Sequence, residues 1–177
     1  DRFEELLSNL HFIDNNCADT TDRLYKLRPV IDQLTEKFKS VYIPSSDITT
    51  DESLWKFNGR LKFKQYNPKK RVRFGIKVYR VCQSTGVAAG YTWNFKIYTG
   101  QDKTVGLEST KILLDLNADL LGKGYTIYLD NWFSSPDLYL KRGQKTNVVG
   151  MVRKNRQDIP ALVWKDKKYV RMMSTMH

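Results

Sequence analysis

A chain of 177 residues with 41% apolar and 28% charged side chains suits one globular domain, long enough to bury a real core and with room for a small appended segment. No run approaches the roughly 18 apolar residues of a membrane span, and the start DRFEELLSNL lacks the basic-then-apolar layout of a leader, so a soluble, unsecreted protein is expected. Cys17 and Cys82 are too few and too far apart for a disulfide framework or a zinc cluster, which fits a reducing compartment.

The net charge of +11 is unevenly spread. Residues 1–59 hold 7 Lys+Arg against 11 Asp+Glu, net −4, whereas residues 60–177 hold 23 against 8, net +15. A basic excess confined to one part is what a phosphate-binding face requires, and it points to nucleic acid as the partner class; a solvated basic surface without a partner carries the same signature.

In chain order, Phe3, Leu6, Leu7 and Leu10 draw one apolar stripe on a helix that should dock on something. After a break at Asn15 to Thr20, the residues Leu24, Leu27, Ile31, Leu34, Phe38 and Val41 form a helical seam with intramolecular packing as its expected use. Pro29 predicts a kink or restart there, with the proline in a first turn where its missing N–H costs nothing. From Asp47 the pattern becomes β-rich through Ile48, Thr49, Thr50, Leu54, Trp55 and Phe57, a strand with Asp51 and Glu52 in its middle. If Asp51 points inward, its charge needs a cation or a hydrogen-bond network.

Between Arg60 and Lys77 there is no acid. Arg60, Lys62, Lys64, Lys69, Lys70, Arg71 and Arg73 are interleaved with Phe63, Tyr66 and Phe74. The cations would neutralise phosphates and the aromatics stack bases, although Phe63 and Phe74 are better read as turned into the core. Gly75 to Val81 and Tyr91 to Tyr98 bracket QSTGVAAG as an antiparallel hairpin, completing a three-stranded meander with the first strand. A helix over Thr104–Leu121, with Ile112, Leu113, Leu116 and Leu120 on one face, closes at Gly122 and Gly124 and feeds the buried strand of YTIYLDNWF. Asp130 ends that strand, where it is held at the mouth of a sheet or caps the helix opened by Ser134 or Ser135 and Pro136. TNVVGMVRKN reads as a fifth strand with a basic tip of Arg153, Lys154 and Arg156, and a last alternating run takes in Trp164, Tyr169 and Met172.

Three antiparallel strands, a crossover helix, a fourth strand parallel to the first and then a fifth are the order of an α/β, ribonuclease H-like mixed sheet, preceded by a helical lead-in over residues 1–45 and occupying 46–177. In that order Asp51 and Asp130 can lie side by side.

The stretches DESLWKFNGRLKFKQYNPKKRVRFGIK, GYTWNFKIYTG, YTIYLDNWFSSPDLYLK, TNVVGMVRKNRQDIP and VWKDKKYVRMMST resemble the piggyBac-type transposases and piggyBac transposable element-derived proteins, along nearly the whole chain. The resemblance implies a catalytic domain in which aspartates hold two Mg²⁺ or Mn²⁺ ions that cut transposon ends and join them to TTAA-type target DNA. The family's D-E-(S/Q) acid falls on Asp51, as the ligand bridging both ions, and its D-N-W-(F/Y) acid on Asp130, as a one-metal ligand. Glu52 is then a supporting residue, and Asn131 and Trp132 orient Asp130 or meet DNA, with Trp132 as plain core an equal alternative. DNA is the implied partner, a homodimer is an allowed assembly, no membrane or small-molecule cofactor is called for, and a nuclear location is expected.

The pattern also departs from the family. Its third aspartate lies beyond the segment ending in STMH, and Asp137, Asp158 and Asp166 match no such motif. Only Ala161, Leu162 and Val163 separate Pro160 from WKDK, where the family has a longer segment, and the cysteine-rich tail of many members has no counterpart. The expectation is therefore a catalytic domain incomplete at its carboxyl side, unable to cut DNA alone. A domesticated or decayed transposase-derived DNA-binding protein without catalysis is the alternative.

Overall fold

The computed structural model describes residues 1–14, 16, 19, 21–100, 108–135, 138–139, 145–152, 162–165 and 169–175. The chain divides into two compact units, Asp1–Val41 and Tyr42–His177. In the first, α1 (Arg2–Ser8) is capped by the Asp1 carboxylate, which accepts from Phe3 N at 3.2 Å. Its apolar stripe stays in solvent, with Phe3 68% and Leu6 64% exposed. A 3₁₀ turn over Tyr25–Leu27 leads into α2 (Arg28–Val41), so Pro29 falls in the first turn and marks a restart. There the Asp22 carboxylate receives Arg28 Nε at 2.7 Å and Nη2 at 3.0 Å, and these bonds hold Asp22 below the usual carboxylate range.

The second unit is built on a mixed sheet of eight strands among the described residues. β1 (Asp47–Lys56) pairs antiparallel with β3 (Phe74–Gln83) and parallel with β5 (Thr126–Leu129). β3 also carries the short β2 (Gln65–Tyr66) and β4 (Thr92–Ile97), both antiparallel. β5 pairs parallel with β6 (Asn147–Met151), which is followed antiparallel by β8 (Tyr169–Ser174), and β8 by β7 (Leu162–Lys165). The last alternating run of the sequence is thus a hairpin of two strands rather than one, extending the sheet beyond the fifth expected strand.

α3 (Glu108–Asn117) makes the crossover from the meander to β5. The amino-terminal part of the helix expected from Thr104, and most of the one expected after Ser135, lie outside the described residues. Ser135 does cap the second: its hydroxyl accepts from Leu138 N at 3.2 Å. Gly122 and Gly124, at φ 75° and 88°, end the α3 region in a left-handed turn that side chains with a Cβ rarely adopt.

One face of the sheet is buried against α3, where Ile48, Tyr79, Val81, Ile127, Leu129 and Val148 meet Ile112, Leu113, Leu116 and Leu120. A polar pin crosses this core. Asn117 Nδ2 donates to Thr50 Oγ1 at 3.0 Å and to Leu113 O at 2.8 Å, and both Thr50 and Asn117 are fully buried. Asn94 Nδ2 donates to Leu116 O at 2.7 Å and ties β4 to the same helix end. Buried polar groups are tolerated because they are paired, and losing one partner leaves the other unsatisfied.

Asn117→Ala is therefore expected to lower the stability of this unit by about 1–3 kcal/mol in urea denaturation, while Thr50→Val with Asn117→Leu, which removes both partners together, recovers part of that loss.

Candidate active site where the parallel β1–β5 ladder ends

The parallel register of β1 and β5 runs Asp47↔Thr126, Ile48↔Ile127, Thr49↔Tyr128 and Thr50↔Leu129. The next residue on each strand is Asp51 and Asp130. Asp51, midway along β1, and Asp130, just after β5, consequently lie side by side where the parallel ladder stops, although 79 positions separate them in the sequence. Side chains alternate along a strand, so with Ile48 and Thr50 buried against α3, Asp51 projects from the opposite face.

Asp51 is exposed, and its Oδ1 accepts from Glu52 N at 2.7 Å. Its charge is solvated, so no buried carboxylate demands a cation there, and what recommends Asp51 is its place beside Asp130. On β3, Arg80 lies directly across from Asp51 in register, and its guanidinium reaches Thr92 Oγ1 at 3.4 Å.

Asp130 is half-buried and organises the turn that follows it. Its Oδ1 accepts from Trp132 N at 2.9 Å and Phe133 N at 3.4 Å, while its carbonyl accepts from Ser134 Oγ at 2.9 Å and Ser134 N at 3.3 Å. Capping and ligand presentation are therefore compatible: Oδ1 is committed to the turn, and Oδ2 takes no protein hydrogen bond among the described residues. Trp132 is partly buried on the core, stacked on Tyr79 with ring centroids 5.5 Å apart and planes 11° apart. Nearby, Tyr128 donates to Asp47 Oδ1 at 3.2 Å; burial first, then that carboxylate, raises the phenol above its usual range and keeps it neutral at physiological pH.

Adjacent carboxylates on rigid strands supply the hard oxygen donors that Mg²⁺ and Mn²⁺ prefer, so the residues present fit part of a divalent-cation site. Among the described residues no third His, Cys, Asp or Glu joins them.

The basic stretch forms an arm between β1 and β3. Arg60, Lys62, Lys69, Arg71 and Arg73 are exposed. Lys64 and Lys70 are partly engaged, Lys64 donating to Gly59 O at 3.0 Å and Lys70 lying 3.7 Å from Glu52 Oε1. Phe63 is core, as expected, at 5% exposure, but Phe74 is not: it is 49% exposed and pairs with Tyr66 at 4.7 Å between centroids. Phe74 sits on the edge pairing with β2, which turns it outward, a placement its apolar character alone does not reveal. Lys56, Asn58, Arg71, Arg73 and Phe74 line an open concavity of about 420 Å³. Arg153, Lys154 and Arg156 lie outside the described residues.

The order and pairing of these strands define a ribonuclease H-like domain, with an acid on the first strand beside an acid following the next parallel one. Residues 1–175 match the family described as Transposase IS4. The chain is 31% identical over 182 residues to the human PiggyBac transposable element-derived protein 2, covering 98% of this chain and 30% of that protein. It is 31% identical over 166 residues to human PiggyBac transposable element-derived protein 3, covering 89% and 27%. The cryo-EM structure of a piggyBac transposase synaptic complex with hairpin DNA superposes with a TM-score of 0.84 at 27% identity, covering 99% of this chain and 43% of that one. The chain belongs to the Transposase IS4 family and, within it, to the piggyBac-type transposases and piggyBac transposable element-derived proteins. It spans about a third of the length of these curated relatives.

One glycine is tightly packed beneath the Asp130 turn. Gly150 pairs with Leu129 at the end of β5, and a Cβ there would overlap Ser134 Oγ and approach Tyr139 Oη to 2.9 Å. Gly150→Ala is expected to push away the segment that closes the Asp130 turn and cost about 1–3 kcal/mol, measured as a lower urea midpoint with an altered Trp emission spectrum.

Proposed function

We propose that this chain supplies Asp51 and Asp130 to the divalent-cation site of a piggyBac-type DNA transposase, and that its basic arm holds the DNA on which that site acts. The observation that carries the reading is the parallel β1–β5 register, which makes the two acids neighbours. Asp51 and Asp130 would each hold a divalent ion through carboxylate oxygen, with a third acid expected outside this span. Divalent ions, which serve this class of enzyme generally, supply charge neutralisation and activation of water or a 3′-hydroxyl in phosphoryl transfer. The chain's own part is to hold two carboxylates on rigid backbone, Asp130 oriented by the N–H groups of Trp132 and Phe133. Transposon ends, a TTAA-type target and a second copy of the chain are the partners this reading calls for, and the nucleus its place of action.

Titration calorimetry with Mn²⁺ is expected to give binding to the wild-type chain that falls at least about tenfold in Asp51→Asn and Asp130→Asn, since each substitution removes one anionic ligand. Identical isotherms for all three proteins would refute the metal assignment.

A second reading, a transposase-derived DNA-binding protein without strand cleavage, is favoured by the outward-facing Tyr66–Phe74 pair and the exposed Arg71 and Arg73, which can grip nucleic acid with no metal at all. Both readings predict salt-steep binding to duplex DNA. Arg71→Ala with Arg73→Ala should weaken it and reduce the slope of log K against log salt by about 2, one unit for each phosphate no longer neutralised. Affinity that stays flat between low and moderate salt would count against either reading.

A further inference from the structure

A lysine that belongs to neither acidic motif lies against the Trp132 ring of the Asp130 turn. Lys77 on β3 forms an ion pair with Glu52 Oε2 at 2.8 Å, and its ammonium lies over three aromatic rings: Trp132 at 4.5 Å, Tyr79 at 4.8 Å and Tyr98 at 5.9 Å to their centroids. Glu52 is held in turn by Lys70, 3.7 Å away at its other oxygen. Trp132 is the ring nearest the charge, it is stacked on Tyr79, and its own backbone N–H is the shorter of the two donors to Asp130 Oδ1. A cation fixed over an indole face favours one ring position, most strongly when the pair is partly desolvated, and the Lys77 and Glu52 side chains are only 22% and 27% exposed. A path of direct contacts therefore runs from Glu52, one residue after Asp51, through Lys77 and Trp132 to Asp130.

We infer that Lys77 is a positioning residue for Asp130: anchored by Glu52, it clamps Trp132 and so sets the direction of the Asp130 carboxylate relative to Asp51. The inference rests on the reading of Asp130 as a cation ligand. It gives Glu52, whose charge points away from the metal ligands along the opposite face of β1, a specific task. It also explains the aromatic cluster at this end of the sheet as a seat for an internal cation.

The test is residue-resolved amide exchange by NMR, together with Mn²⁺ calorimetry, on the wild-type chain and on Lys77→Met, Lys77→Arg and Glu52→Gln. Lys77→Met keeps the aliphatic stem and loses the charge. It is expected to speed exchange at the Trp132 and Phe133 amides by about five- to tenfold, the size of one partly buried cation–π contact, with the Val81 and Ile127 amides unmoved. Lys77→Arg, which keeps both the ion pair and the stacking, should restore wild-type protection, and Glu52→Gln should fall between. Mn²⁺ affinity should drop in Lys77→Met and return in Lys77→Arg. If Lys77→Met loses protection throughout the sheet, Glu52→Gln decides, and unchanged Trp132 exchange in that variant overturns the clamp. Unchanged Trp132 exchange in a folded Lys77→Met protein overturns it as well, as does faster exchange with unaltered Mn²⁺ affinity. Failure of the wild-type chain to take up Mn²⁺ defeats the metal reading instead, and the exchange pattern then still decides whether Lys77 holds the Asp130 turn.

Discussion

Everything at the site depends on the parallel pairing of β1 with β5. Parallel strands cannot be joined by a tight turn, so the chain travels through the meander and α3 before β5 can lie beside β1. That detour brings residues far apart in sequence side by side, and the ladder that stops at Thr50↔Leu129 hands the next position on each side to an acid. A shift of one residue would send either carboxylate to the other face. The buried Thr50–Asn117 bond, directly before Asp51, opposes such a slip because the hydroxyl and the amide would both lose their partners.

The two faces of the sheet are used differently. The α3 face is apolar and packed, with Ile48, Val81, Ile127 and Val148 fully or almost fully buried, and it sets the register. The other face carries Thr49, Asp51 and Ser53 along β1, polar or charged and never fully buried. The division leaves Asp51 in solvent on a rigid frame.

The arm between β1 and β3 follows the same division on a smaller scale. Phe63 is its anchor in the interior, while Tyr66 and Phe74 pair on the outside among the arginines. Lys77, paired with Glu52 at 2.8 Å and largely covered, is thereby withdrawn from the cations available to a phosphate backbone, whereas Lys70, 3.7 Å from the same carboxylate, keeps much of its side chain in solvent. The +15 carried by residues 60–177 is thus divided between exposed cations on the arm and the covered Lys77 beside Glu52.

What the sequence determined by itself is what depends on neighbours along the chain. Strand and helix periodicity, the glycines ending α3, Pro29 in a first turn, the element order of a ribonuclease H-like sheet and the places of Asp51 and Asp130 were all legible, because side-chain alternation and turn chemistry are local. Tertiary structure decided the rest. Whether the two acids lie side by side is a property of strand pairing; whether Asp51 is buried depends on which face α3 covers; and Phe74 turns outward because of the edge it occupies. The final run became two strands because β8 pairs with β6 and β7 pairs with β8. The clamp of Lys77 on Trp132 was invisible in sequence, since a lysine in a basic strand and a tryptophan after an acid give no sign of meeting until β3 and the Asp130 turn are folded against each other.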